Sequence, residues 1–95
     1  MSATHDRLLA TLEQYHPTQI PCRGPDGDRW ITGAPADIWY AQAHCEKCPA
    51  RVACASYAVD AEEPAGVWGG TTPKARAGLA RQRRRSEITA KEAAA

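Results

Sequence analysis

The sequence predicts an all-α fold: a small four-helix domain with a basic C-terminal helix and tail. Three observations predict it. Apolar residues recur at helical spacing in four segments, proline and glycine punctuate the chain between them, and nowhere is there the strict apolar–polar alternation of a strand. At 95 residues the chain holds one domain at most.

The segment Thr4 to Tyr15 sets Leu8, Leu9, Leu12 and Tyr15 on one helical stripe, with Thr4 as N-cap, and His16-Pro17 ends it. Residues 17–33 are rich in Pro, Gly and Asp and read as loop; Cys22 and Trp30 lie in it. A second helix starts at Pro35, a favourable first-turn residue, and runs to His44 or Cys45 with Ile38, Trp39, Ala41 and Ala43 as its apolar content. A third starts at Pro49 and runs to Glu62, carrying Val52, Cys54, Ala55, Tyr57, Ala58 and Val59, and Pro64 and Gly66 mark its end. Gly66-Val67-Trp68-Gly69-Gly70 is a turn, because three glycines in five positions favour φ > 0. A fourth helix opens at Thr72-Pro73, with Thr72 as N-cap, and passes through Leu79 to Arg85; Thr89 to Ala95 reads as frayed. The chain thus divides into a helical body, residues 1–73, and a basic helix and tail, residues 74–95.

The core available to these helices is thin. Nineteen residues are alanine, and only four Leu, four Ile, three Val, one Met, three Trp and three Tyr remain as bulky apolar side chains, with no Phe. Burial of each contributes roughly 2 kcal/mol, against about 1.5 kcal/mol lost per ordered residue. Such a chain needs a staple: a metal, disulfides or a partner. No apolar run is long enough to span a membrane, and Met1 to Tyr15, with Asp6 and Glu13, does not read as a secretory signal. The expected compartment is therefore the cytoplasm, where thiols stay reduced, so a metal or redox role is the better reading of the four cysteines.

Cys22, Cys45, Cys48 and Cys54 form one distant cysteine followed by C-x2-C-x5-C. Cys45 and Cys48 are close enough to ligate one centre, and Cys48 lies at the start of the third helix, whose positive end favours a thiolate. Four thiolates hold either zinc or an iron–sulfur cluster. Structural zinc often uses two C-x2-C pairs, and only one is present. A cubane cluster is larger and tolerates scattered ligands, so the spacing leans towards a cluster, with zinc the alternative. Inert buried thiols, or a redox pair at Cys45 and Cys48, are further alternatives. His5, His16 and His44 read as solvent-facing or capping residues.

Pro21-Cys22, then Cys45-x2-Cys48-Pro49-x-Arg51-x2-Cys54-x2-Tyr57-Ala58, then Gly66-Val67-Trp68-Gly69-Gly70, together resemble the WhiB-like (Wbl) proteins of actinobacteria and their phages. The likeness covers about residues 20–85. It implies a small helical domain wrapped around a 4Fe–4S cluster, with Cys22, Cys45, Cys48 and Cys54 as the ligands. It also implies a transcriptional regulator, not an enzyme, that binds region 4 of the primary sigma factor and contacts promoter DNA. Asp28-Arg29-Trp30-Ile31 supplies one aromatic where members often have a pair, and the tail has Arg81-Gln82-Arg83-Arg84-Arg85 in place of an Arg-Gly-Arg hook. The rival functions are a cluster-free thiol–disulfide reductase, which lacks the βαβ pattern expected around its C-x-x-C, and a zinc-binding nucleic-acid module.

Trp68, boxed by Gly66, Val67, Gly69 and Gly70, is a large ring with small neighbours, suited to a partner's pocket as well as to its own core. Trp30 and Trp39 are candidates for shielding the metal centre from water. Charge is divided along the chain: residues 1–73 are net −4 and residues 74–95 net +5. Lys74, Arg76, Arg81, Arg83, Arg84 and Arg85 are the candidate DNA-phosphate contacts, which position a protein without reading sequence.

Overall fold

The structure is a computed structural model that describes residues 2–94. Four α-helices follow one another: α1 Ala3–Glu13, α2 Pro35–Cys45, α3 Arg51–Asp60 and α4 Pro73–Ala94. Among the described residues no strand forms, and the one β feature is a bridge between Trp68 and Thr71. The expected all-α class and the order of its four helices are as observed.

The N-cap of α1 is Ser2, whose side chain accepts from the His5 N–H at 3.1 Å, and not Thr4. Thr4 Oγ1 instead donates to Asp60 at 2.7 Å, fastening α1 to the far end of α3, on which it packs. Of the expected stripe Leu8 is buried, Leu12 and Tyr15 are half-buried, and Leu9 faces solvent.

The segment read as loop is ordered into three short 3-10 turns, Pro17–Gln19, Pro21–Arg23 and Gly27–Trp30. Proline opens the first two, with φ already set for a tight turn. His16 caps the first through the Thr18 N–H. The third turn is clamped to α2. Asp37 accepts from Thr32 Oγ1 at 2.7 Å and from Arg29 Nε at 2.8 Å, and both bonds hold its carboxyl below the usual carboxylate range. The Arg29 guanidinium also lies 3.5 Å over the Tyr40 ring.

Pro49 and Ala50 form a turn, so α3 starts two residues later than the sequence suggests. α4 opens as expected, with Thr72 Oγ1 accepting from the Ala75 N–H at 3.2 Å. It then overruns Arg85 and reaches Ala94 where fraying was expected, because residues 86–93 contain neither Gly nor Pro; Ala95 lies outside the described residues. Residues 81–93 of α4 are all exposed. The radius of gyration, 15.0 Å, accordingly exceeds the roughly 12 Å of a compact chain of this length.

Among the described residues, half of the ten buried apolar ones are alanine: Ala41, Ala50, Ala53, Ala58 and Ala80. Alanine lets helices approach closely but contributes little apolar area, so the thin core inferred from composition is the core observed. Its central cluster is Trp30, Ala41, Cys45 and Val67, with Ile38 and Tyr40 against it.

Candidate metal centre

The four cysteines come from three separate segments. Cys22 sits in the Pro21–Arg23 turn, Cys45 ends α2, Cys48 follows in the α2–α3 connection, and Cys54 lies one turn into α3. All four line one cavity of about 250 Å3, walled by Leu8, Leu12, Ile20, Trp30, Val67 and Trp68. Among the described residues no three His, Cys, Asp or Glu side chains converge tightly enough for a single metal ion.

The electrostatics mark the thiols as buried neighbours. Desolvation raises the pKa of Cys22, and the neighbouring Cys48 and Cys45 raise it further. Cys54 is pushed up to about 12, first by burial and then by Cys22, Cys45 and Cys48. Burial likewise raises Cys48. Four thiolates would repel one another in this apolar pocket, and a cationic centre among them reverses that term. One of the sulfurs meets an N–H donor: Trp30 Nε1 lies 3.3 Å from Cys45 Sγ. A donor aimed at sulfur suits a metal-bound thiolate better than a neutral thiol. The residues present fit a four-thiolate cluster.

The Gly66–Gly70 turn closes one side of the cavity. The Val67 N–H donates to the Trp30 carbonyl at 2.7 Å, and the Trp68 and Thr71 backbones bond to each other in both directions. Gly69 has φ +56°, and a Cβ there would strike the Arg51 carbonyl and Ala55 of α3. Gly69→Ala is expected to destabilise the domain by about 2–4 kcal/mol, from left-handed strain plus overpacking, read as a lowered thermal midpoint. Trp68 is half-buried. Its Nε1 donates to the Ala65 carbonyl at 3.0 Å, and its ring packs on Tyr57 with centroids 5.7 Å apart.

Two sequence readings are corrected. Trp39 does not shield the cavity: it is 75% exposed and absent from the lining. Ile38, Ala41 and Cys45 form the inward face of α2, whereas Trp39 shares the outer face with Ala43 and Glu46. Arg76 is no DNA contact: it is 1% exposed. Its Nε donates to the Glu63 carbonyl at 3.0 Å, Nη1 to the Thr71 carbonyl at 2.6 Å and to Thr71 Oγ1 at 3.1 Å, and Nη2 to the Ala65 and Gly66 carbonyls at 3.1 and 2.8 Å. The guanidinium fork bolts the start of α4 to both ends of the glycine turn, and its burial pulls its pKa below the ordinary value. Arg83 and Arg84 are exposed but paired with Asp60 (3.5 Å) and Glu62 (3.0 Å) at the end of α3. Lys74, Arg81 and Arg85 are exposed, with no ion pair among the described residues.

Comparison with known proteins follows this geometry. The family model described as "Transcription factor WhiB" matches residues 17–79, which include all four cysteines and the glycine turn. The chain is 45% identical over 51 residues to "Transcriptional regulator WhiB7" of Mycolicibacterium smegmatis, covering 54% of this chain and 50% of that protein. It is 41% identical over 66 residues to "Probable transcriptional regulator WhiB7" of Mycobacterium tuberculosis, covering 65% of this chain and 72% of the relative. It is 37% identical over 59 residues to "Transcriptional regulator WhiD" of Streptomyces coelicolor, covering 54% and 52%. The match thus spans about half the length of two of these relatives. No helix among the described residues is long and apolar enough to cross a membrane. With the family model matching about two thirds of its length, and with relatives named as transcriptional regulators, the chain belongs to the WhiB family of transcription factors.

Proposed function

We propose that this WhiB-family regulator is an iron–sulfur protein that acts in the cytoplasm by docking region 4 of the primary sigma factor and touching promoter DNA beside it. Cys22, Cys45, Cys48 and Cys54 hold a 4Fe–4S cluster in the body, residues 1–73. The Gly66–Gly70 turn with Trp68 meets the sigma factor, and residues 74–95 approach DNA. The observation that carries the reading is the gathering of four thiols around one apolar cavity, with the Trp30 indole N–H aimed at one of the sulfurs. When bound, the cluster supplies a redox-responsive centre that ties three segments together. The chain's own residues do the rest: Trp30 excludes water, the turn closes the cavity, and Arg76 fixes α4 to the turn. Anaerobic co-purification with sigma region 4, with iron and sulfide assayed on the complex, tests the proposal. Failure of the cluster-loaded protein to retain sigma overturns the docking half.

Trp68 is the anchor of that docking. Trp68→Ala is expected to weaken sigma binding by ~2 kcal/mol or more, the size of a hot spot, while iron content is retained because no ligand is touched. Loss of iron together with unfolding would instead make Trp68 a core residue. A folded variant that binds sigma normally would remove the turn from the interface.

The DNA-contacting set is smaller than the sequence suggests. Lys74, Arg81 and Arg85 fall within about 40° of one another around α4, on the face turned away from Arg76 and Ala80. Three phosphate contacts give a log K against log salt slope near −2.7, at about 0.9 per contact. Changing Lys74, Arg81 and Arg85 together to Gln is expected to flatten that slope and weaken DNA binding, with sigma binding intact. Mobility shifts across a salt series read it. A wild-type slope near −4.5, the value for about five contacts, would mean that Arg83 and Arg84 leave their carboxylate partners for phosphate.

A further inference from the structure

We infer that Trp30 is a positioning residue that raises the reduction potential of the centre held by the cysteines, by donating its indole N–H to the Cys45 sulfur. The inference rests on the cluster reading above. Trp30 Nε1 lies 3.3 Å from Cys45 Sγ, and Trp30 is only 5% exposed. Indole N–H is a donor only, and the sulfur is the acceptor it meets in this buried place.

The ring is held from several sides, so the donor stays aimed whatever the charge on the sulfur. The Trp30 carbonyl accepts from the Val67 N–H at 2.7 Å. Its ring meets Tyr40 and His44 edge to face, with centroids 5.9 and 6.1 Å apart. Tyr40 is itself fixed, its hydroxyl donating to Asp26 at 3.1 Å and its ring lying under Arg29. Among the described residues no other side chain donates a hydrogen bond to a cysteine sulfur. Trp30 is therefore the side-chain lever on the charge of the site.

A hydrogen bond to a ligating sulfur draws electron density from it. Adding one electron to the centre increases the negative charge on its sulfurs, so the same bond is stronger in the reduced state and favours reduction. Burial of the ring excludes water as well, and replacement by Phe separates the two effects: an apolar aromatic ring remains while the N–H is gone.

The test is an anaerobic redox titration of the full-length, cluster-loaded protein with dithionite as electron donor and mediator dyes, followed by visible absorbance. Trp30→Phe is expected to make the one-electron reduction constant about tenfold smaller, a potential about 59 mV lower. The exposed Trp39→Phe is expected to match the wild type. An unchanged potential in a Trp30→Phe protein that holds its cluster overturns the inference, as does an equal shift in Trp39→Phe. If Trp30→Phe does not retain a cluster, the wild type answers directly. With its tryptophans labelled by 15N at the indole nitrogen, pulsed EPR of the reduced protein should show 15N and exchangeable-proton couplings to the cluster. Their absence overturns the inference. Iron and sulfide are assayed first: a protein that carries zinc and no iron overturns the cluster reading, and this inference with it.

Discussion

Arg76→Ala is expected to lower the stability of the loaded protein by about 3–4 kcal/mol, several times the effect of removing any exposed cation of α4. The guanidinium donates to the carbonyls of Glu63, Ala65, Gly66 and Thr71 and to the Thr71 hydroxyl, all within 3.1 Å. Charge-assisted bonds contribute about 1.5–3 kcal/mol each, and the carbonyls left behind recover part of that by hydration. Arg76→Lys should cost about 2 kcal/mol, because a single ammonium cannot span both sides of the turn as a planar fork does. In a domain this small each kcal/mol moves the thermal midpoint by about 4–8 °C, so far-UV circular dichroism on anaerobic samples resolves both variants. A midpoint unchanged in Arg76→Ala would mean that the turn holds α4 without the clamp.

Removing the proposed cluster is expected to have a larger effect. Chelation or oxidative loss of the cluster is expected to abolish most of the helicity of the body, because ligand binding energy is folding energy in domains of this kind. Half of the buried apolar residues are alanines, and the segment bearing Cys22 has only short 3-10 turns of its own. At about 0.05–0.15 kcal/mol per residue the whole chain is stable by only about 5–14 kcal/mol, comparable to the binding energy of a structural metal. Each Cys→Ser variant at positions 22, 45, 48 and 54 should lose cluster content and thermal stability together. An apo-protein with unchanged helicity and midpoint would show that the alanine core suffices.

Much of this arrangement is legible in the sequence. The four helices follow from apolar spacing and from Pro35, Pro49, Pro64 and Pro73, and Thr72 caps α4 as read. That the cysteines gather around one cavity could be anticipated from their number and order, but its walls could not. Leu8 and Leu12 reach it from α1, across more than thirty residues of sequence from Cys45. The missed residues share one cause, the reading of side-chain type ahead of helical phase. Arg76 belongs by type with the cations of the tail, yet it stands one turn before Ala80 on the buried face, and that spacing is the available signal. Trp39 matches Trp30 in type, although it lies about 100° around α2 from Ile38, outside the Ile38–Ala41–Cys45 face. The arginine run suggests an end for α4, while nothing in residues 86–93 breaks a helix. The pairs Arg83–Asp60 and Arg84–Glu62 depend on how α4 crosses the end of α3, which no local pattern encodes.

The claim on which the rest depends is that the four thiols hold an iron–sulfur cluster rather than one zinc ion or nothing. Metal and acid-labile sulfide analysis of the anaerobically purified full chain tests it most directly. A brown protein is expected, with about four iron and four sulfide per chain, the content of one cubane cluster with four thiolate ligands. A colourless, folded protein with one zinc per chain, or with no metal, would contradict it.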